Sequence, residues 1–377
     1  MNALHLLSWR RLLAVVRKEF VQVKRDRLTF AMMVGIPVVQ LAIFGFAINA
    51  DPKRLPTAVV VESPGVYTRS LITAVEATGY FRPVEIPDAR EAAARLERGE
   101  VQFVITVPVD FERRLVRGER PAVLLEADAT DPAATSNALA SLEPLTRSAL
   151  RFDLDGPLSG GSGPPFEWRV HRRYNPEGIT QYNIVPGLMG VILTMTMIIM
   201  TALGMTRELE RGTMENLLSM PVRPLEVMIG KILPYVLVGY VQVIVILLAA
   251  RFVFEVPMEG SLAWLGLCVL VFIVANLTVG ITFSSLARNQ TQAMQMSFFF
   301  FLPSILLSGF MFPFRGMPAW AQAVGEVLPL THFLRLVRGI LLKGYGIADS
   351  WPHLWPLMLF IVVVMGIGLK RFRRTLD

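Results

Sequence analysis

The feature that most constrains this chain is an uncharged run at residues 28–50, followed by a polar segment at 51–181 and then by five more apolar runs. A bilayer core needs roughly 20 helical residues to cross, and the buried helices of soluble proteins rarely go so long without a charge. Hydrophobic residues make up 53% of the chain and the mean hydropathy is +0.50, above the average of soluble proteins. The pattern predicts an α-helical polytopic membrane protein.

Six transmembrane helices are predicted, at 28–50, 182–206, 230–250, 260–286, 293–314 and 351–370. Residues 1–27 are basic and amphipathic, which is typical of a helix lying in the membrane interface. They lack the short apolar stretch and small-residue cleavage site of a signal peptide. We therefore expect the first span to direct insertion and to remain in the mature protein.

The flanks of the spans give the orientation, because short cytosolic loops carry an excess of Lys and Arg. Basic residues crowd before the first span, between the second and third, and after the last, whereas residues 252–259 carry none. Residues 51–181 hold 16 basic and 19 acidic residues, which gives this segment a net charge of −3. Since the whole chain has a net charge of +7, the rest of the chain has a net charge of +10. Both termini are predicted to be cytosolic and residues 51–181 extracytoplasmic.

The segment 51–181 is predicted to form an inserted α/β domain. β-Branched runs at 57–61 and 101–107 and a weaker run at 122–125 predict strands, and an edge strand is expected at 166–173. Helices are predicted at 67–78, 88–98, 108–117 with Asp110 as cap, and 133–152. A Gly- and Pro-rich linker at 158–165 precedes the return to the membrane.

Residues 315–345 do not fit a span. Two short apolar pieces, 319–328 and 331–342, are separated by Pro329, and each is too short to cross. A re-entrant or interfacial helical hairpin shielded by protein satisfies such a pattern. Four basic residues of this segment fall on the predicted outer side and conflict with the orientation: Arg315, Arg335, Arg338 and Lys343.

Several kinds of chemistry are not expected. The four histidines are far apart and the single cysteine, Cys268, lies in an apolar run, which excludes a cysteine-based metal site. The pair Gly230-Lys231 lacks the Ser or Thr and the upstream glycine of a nucleotide-binding loop. The excess of basic residues at span ends encodes topology and does not favour nucleic acid. The span centres lack the carboxylate or histidine that ion-coupled transporters usually keep there, so we expect the energy to come from another protein.

The predicted cytosolic loop at 207–223 is the candidate contact site for the protein that supplies this energy. It is charged at first and then amphipathic, so a short helix could dock into a groove on a soluble partner. From the residues alone, an ordinary solvated loop is an equal alternative.

Several motifs resemble those of ABC-2 type permeases. LSGFMFP at 307–313, MPAW at 317–320, LPLTHF at 328–333 and RGILLKG at 338–344 look like the C-terminal signature of that family. ERGTMENL at 210–217 resembles the core of its first cytosolic loop, and RKEF at 17–20 with RDR at 25–27 resembles its N-terminal elbow helix. The likeness covers essentially the whole chain, including the large insertion after the first span that is typical of the multidrug-efflux-like branch.

The resemblance implies an export permease in a bacterial cytoplasmic membrane, surrounded by membrane lipids, that works as a homodimer or heterodimer. ATP and Mg would be bound by two separate ABC ATP-binding subunits, and no cofactor by this chain. Contact with the ATPase is implied for the elbow helix and the first loop, namely Arg17, Lys18, Glu19, Phe20, Arg25, Arg207, Glu208, Glu210, Arg211, Gly212, Thr213, Glu215, Leu217 and Leu218. An outer gate is implied at Gly309, Pro313, Pro318, Pro329 and His332. The large extracytoplasmic domain suggests a periplasmic adaptor as a further partner.

Two alternatives belong to other classes of protein. A membrane-anchored sensor or scaffold would bind a ligand or partner through the extracytoplasmic domain, and that domain would keep its function when cut free. A membrane enzyme would need a catalytic cluster, for which only Glu326 with His332 is suggestive.

Overall fold

The computed structural model describes residues 52–151, 153–154, 164–210 and 224–374. The predicted elbow helix, the first predicted span, most of the linker and residues 211–223 of the predicted cytosolic loop lie outside the described residues.

An α/β unit occupies residues 55–173. Its mixed sheet has five strands, β1 (Leu55–Val61), β2 (Phe81–Glu85), β3 (Phe103–Val107), β4 (Ala122–Asp128) and β5 (Glu167–Arg173). The order across the sheet is β2-β1-β3-β4-β5, with β3 and β4 antiparallel and the other neighbours parallel. The predicted edge position of the strand at 166–173 is therefore confirmed.

Five helices cover this sheet: α1 (Val66–Ala77), α2 (Ala89–Glu97), α3 (Phe111–Val116), α4 (Pro132–Ala140) and α5 (Leu142–Ser148). Successive strand residues face opposite sides of a sheet. Along β1, Val59 packs with residues of α1 and α3, whereas its neighbours Ala58 and Val60 pack with residues of α2. The unit is thus a sheet with helices on both faces.

The sequence prediction of this unit was wrong at three points. The single helix expected at 133–152 is two helices, since the Pro144 ring disfavours a continuous helix through the preceding turn. Asp110 precedes α3, but its side chain makes no capping hydrogen bond; it lies instead 3.8 Å from Arg114. Strand β2 was missed because Arg82 and Pro83 interrupt its apolar pattern.

The rest of the chain is helical, with α6 (Gln181–Glu210), α7 (Pro224–Phe252), α8 (Leu262–Leu286), α9 (Gln290–Leu307), α10 (Ala319–Val327), α11 (Pro329–Arg338) and α12 (Ile347–Arg374). Among the described residues, four helical stretches have the length and apolar character needed to cross a bilayer: Gln181–Arg207, Pro234–Phe252, Leu262–Leu286 and Ile347–Gly368. The chain therefore has the helices of a membrane protein.

Helix α8 is more than half buried, as is α6, and packs between α6 and α12. A methyl group added at Gly280 would lie 2.7 Å from the carbonyl oxygen of Ile198, so the two backbones approach closely there. Phe272 of α8 stacks on Phe333 of α11 with ring centroids 4.0 Å apart. This stacking fixes α11 against the bundle.

A helical hairpin, residues 309–345, follows α9. Helix α9 ends at Leu307, seven residues before the end of the predicted span, and Gly309 turns the chain with a φ of +85°. A short 3-10 turn (Phe314–Gly316), α10, α11 and a π-helical turn (Gly339–Lys343) follow. Since α10 and α11 are each too short to span a bilayer, the prediction of two short helices here is confirmed.

Candidate functional site: the junction between the α/β unit and the hairpin

The α/β unit and the hairpin meet in a contact that we call the junction, centred on Lys343 and Asp128. The Lys343 ammonium lies 2.6 Å from the Asp128 carboxylate, and each side chain is only 6% exposed. Asp128 ends strand β4, and its other carboxylate oxygen accepts hydrogen bonds from the backbone N–H and hydroxyl of Thr130. The pair therefore joins the C-terminal end of strand β4 to the end of the hairpin.

The C-terminal end of helix α2 forms the second part of the junction. Lys343 donates to the carbonyl oxygens of Leu96 at 3.4 Å and Glu97 at 3.2 Å, and the Tyr345 hydroxyl donates to Glu97 O at 2.8 Å. The last carbonyls of a helix lack partners within the helix and carry partial negative charge. The hairpin end thus supplies a cation and a hydroxyl to a helix terminus that needs donors.

Arg315 forms the third part, from the other end of the hairpin. Its guanidinium donates to the carbonyl oxygens of Gly99 and Glu100, in the turn after α2. Burial lowers the pKa of Arg315, the nearby Arg335 lowers it further, and Asp128 opposes both effects. Both ends of the hairpin are therefore held to one small region of the α/β unit.

Two tyrosine hydroxyls at the junction remain protonated. Burial, reinforced by Asp128, raises the pKa of Tyr174 to about 12 and moves the pKa of Tyr345 further above its usual value. Tyr345 can therefore act as a hydrogen-bond donor at any physiological pH.

Within the hairpin, Arg335 donates to both carboxylate oxygens of Glu326, at 3.0 and 2.6 Å. Burial alone would raise the pKa of Glu326, but the hydrogen bonds and charge of Arg335 outweigh it and lower the pKa below its usual value. His332 is buried, its Nε2 lies 2.8 Å from Glu326 O, and burial lowers its pKa. His332 therefore ties α11 to the end of α10.

The remaining residues expected at the gate shape the hairpin. Pro313 precedes the 3-10 turn, Pro318 occupies the N-cap of α10, and Pro329 begins α11 at a position where no backbone donor is lost. Gly309 lies in the left-handed region, where a methyl group would sit 3.0 Å from Phe314 Cβ. The structure brings these residues together in one hairpin; their role in gating stays a prediction.

At the far end of α6, Glu210 contacts α9. It accepts hydrogen bonds from the Gln290 backbone N–H, at 2.8 Å, and from the Gln290 side-chain amide, and these bonds hold the pKa of Glu210 below its usual value. Arg207 Nε lies 3.4 Å from Gln290 Oε1. The predicted ATPase-contacting residues of the elbow helix, and those from Arg211 to Leu218, lie outside the described residues, and so does the side chain of Glu208.

Sequence reasoning missed Asp128 and Tyr345 as junction residues, and it treated Arg315 and Lys343 only as a topological conflict. That conflict was the available signal, because cations placed against the charge rule need a partner. Their partners are far away in sequence, 215 residues in the case of Lys343 and Asp128.

Comparison with known proteins assigns the chain to a single family of membrane transporters. A family described as ABC-2 family transporter protein matches residues 27–370. The probable multidrug ABC transporter permease YbhS of Escherichia coli K12 is 29% identical over 376 residues, covering 99% of both chains. The inner membrane transport permease YhhJ of the same organism is 31% identical over 307 residues, 79% of each chain. The ABC transporter G family member 20 of Dictyostelium discoideum is 23% identical over 95% of this chain and half of its own length.

Proposed function

Because this chain belongs to the ABC-2 transporter family, as a transport permease, we propose that it is the membrane-spanning subunit of an ATP-driven exporter. It moves a hydrophobic or amphiphilic molecule out of the cytoplasm. A separate ABC ATP-binding subunit binds ATP and Mg, and a second permease chain completes the pathway. The similarity to YbhS, named a probable multidrug ABC transporter permease, supports a drug-like cargo, and the similarity to YhhJ, named an inner membrane transport permease, supports this membrane.

The proposed topology has six spans. Four are the apolar helices described above, the fifth is α9, and the sixth is the uncharged run at 28–50. Helix α9 has 18 residues and extends about 27 Å at 1.5 Å per residue, close to the thickness of a bilayer core. In this topology both termini are cytosolic, and the α/β unit and the hairpin lie outside.

The observation that carries the proposal is the position of α9 between two contacts. Its first residue, Gln290, is held by Glu210 at the end of α6, next to the loop that the family resemblance assigns to the ATPase. Its last residue, Leu307, leads through Gly309 into the hairpin, which is bonded to the α/β unit. A displacement of the loop would therefore move α6 and α9 together and reach the junction through one continuous helix.

The proposed cycle is a population shift between two states. ATP binding draws the ATP-binding subunits together, and their contact with residues 207–223 favours a state in which the hairpin moves away from the α/β unit. Such a shift requires the ATP-bound partner to interact more favourably with one state than with the other. The described structure, with its junction formed, corresponds to the closed state in this scheme.

The test is a mild-detergent purification of the tagged full chain from its native membranes, followed by an ATPase assay and reconstitution into vesicles. We expect a stoichiometric ATP-binding subunit and ATP-dependent movement of an amphiphilic dye. The variant Glu210→Lys loses both acceptor oxygens of the α6–α9 contact, so transport should fall sharply at unchanged expression. Glu177→Lys, an exposed residue before α6, is the matched control and should transport normally.

A preparation without any ATPase would contradict the exporter and favour the sensor or scaffold, whose function would then reside in the α/β unit. Normal transport by Glu210→Lys would leave the exporter standing but refute the role given to the α6–α9 contact.

A further inference from the structure

A cleft of about 550 Å³ lies between the α/β unit, the hairpin and the first turns of α12. This volume is in the range of small-molecule sites. Polar groups of the junction form part of its wall, and apolar side chains, including Phe314 and Pro352, form another part. Helix α6 begins beside it, where the Asn183 amide donates to Asp131 at 3.0 Å. The cleft therefore lies where apolar helices meet a polar unit, which suits an amphiphile.

The basic residues around this cleft differ in how their charge is satisfied. Lys343 is paired with Asp128, Arg335 with Glu326, and Arg315 with backbone carbonyls. Arg338 is the exception. Within the described part of the chain, its one hydrogen bond is a long one, from Nη1 to Gly309 O at 3.3 Å.

The other side of the Arg338 guanidinium is buried without a partner. Among the residues that the structure describes, its Nε and Nη2 atoms have no hydrogen-bond acceptor and almost no solvent-accessible surface. A buried guanidinium without compensation is costly. Burial lowers the pKa of Arg338, and the charge of Asp131 opposes that shift. The cost points to an acceptor that this structure does not contain.

The geometry of the two free nitrogens indicates what that acceptor is. Nε and Nη2 form one edge of the guanidinium, with two parallel N–H groups that match the two oxygens of a carboxylate or phosphate. Gly187 of α6 lies close to this edge, since a methyl group there would sit 2.6 Å from the Phe310 ring and 3.4 Å from Nη2, so the edge is covered in the described structure.

Five acids among the described residues line the cleft. Glu100, Asp128 and Glu326 are each paired with a cation, and Asp349 accepts a hydrogen bond from the Gly346 N–H. Burial raises the pKa of Asp131, the charge of Arg338 opposes that shift, and one of the Asp131 oxygens accepts a hydrogen bond from Asn183.

We infer that the cleft is a binding site for the carboxylate or phosphate group of an anionic amphiphile, held by the Nε–Nη2 edge of Arg338. The site is occluded here and opens when the hairpin and the α/β unit separate. The inference deepens the proposed function, on which its transport measurement rests; its binding measurement does not depend on transport.

The test uses the purified full chain in nanodiscs of phosphatidylcholine, with dodecyl phosphate as the probe and dodecyl maltoside and dodecyltrimethylammonium as uncharged and cationic controls. Ligand that binds only the folded state raises the unfolding temperature Tm in a saturable way. We expect this for dodecyl phosphate alone. Arg338→Lys keeps the charge but loses the paired donors, and it should weaken binding roughly ten- to a hundredfold.

Arg338→Met separates a ligand site from a structural role. It removes a buried cation whose one described hydrogen bond is the long contact with Gly309 O, so the Tm without probe should stay the same or rise, while the shift caused by dodecyl phosphate disappears. Arg251→Met, an exposed arginine at the same end of the bundle, is the matched control and should bind like the wild type.

A wild type that shows no saturable shift would overturn the inference, and so would an undiminished shift in Arg338→Met. A lower Tm of Arg338→Met without probe would also overturn it, because Arg338 would then have a structural partner elsewhere in the chain.

If phosphatidylglycerol in the nanodisc competes with the probe, the ligand is a bilayer lipid; if it does not, the ligand is a transported amphiphile. Both results support the shared anion site. Normal probe binding without any ATP-driven transport would count against the proposed function and leave this site intact.

Discussion

The Lys343→Met substitution tests whether the junction holds the hairpin to the α/β unit. The side chains of Lys343 and Asp128 are each 6% exposed and lie 2.6 Å apart. Removing one partner of a buried ion pair leaves an uncompensated charge and costs about 3–5 kcal/mol. Since 1.4 kcal/mol is a factor of ten, the population with a separated junction should rise by about two to three and a half orders of magnitude.

Amide hydrogen exchange of the full chain measures this population. The N–H groups of Tyr345 and Glu259 donate at 3.0 Å to carbonyls of the segment 339–345, and they should exchange faster when the junction separates. Strand β3 serves as an internal control, because its protection depends on the sheet. Arg169→Met is the matched variant: its ion pair with Glu167 is 72% and 48% exposed and is worth at most about 1 kcal/mol.

A second variant distinguishes the ion pair from a general loss of packing. Replacing both residues, in Lys343→Met with Asp128→Leu, leaves no buried charge unpaired and should recover part of the protection. Recovery should be partial, because Thr130 loses its acceptor. Unchanged exchange in Lys343→Met, or equal acceleration in strand β3, would refute the argument that this pair fastens the hairpin.

How much the sequence could predict depends on the distance between interacting residues. The strands at 57–61 and 101–107 and the helices at 67–78 and 88–98 follow from local pattern, and the structure confirms them within two residues at each end. The break near Pro144 was also local and readable. Edge strand β2 was not, since polar residues and a proline hide an extended segment whose pairing with β1 is set by the tertiary fold.

The contacts of the candidate site are long-range, and only an indirect sign of them can be read from the sequence. Arg315 and Lys343 violate the charge bias of the predicted topology, yet no local pattern identifies Asp128 or the carbonyls of α2 as their partners. Similarly, Glu210 lies in a motif that suggested contact with another protein, but its described partner is Gln290, 80 residues away in the same chain. Charge on an unexpected side is therefore a useful pointer to a long-range contact.

Two further predictions concern the hairpin. Gly309→Ala should lower the Tm, since a φ of +85° costs an L-residue about 1–2 kcal/mol and the new methyl group would crowd Phe314. The matched control is Gly366→Ala on α12, where the new methyl group would meet open space and the Tm should not fall. The folded-state pKa of Glu326 is lowered below the usual glutamate value of 4.5, so the Glu326–Arg335 pair should stabilise the hairpin fully at pH values above 4.5. This contribution should be lost only as the pH falls below 4.5, through the lowered pKa of Glu326. The Tm difference between the wild type and Arg335→Met should therefore be constant from about pH 7 to pH 5 and narrow below it. A difference that already disappears near pH 6 would show that another group, and not this carboxylate, controls the hairpin.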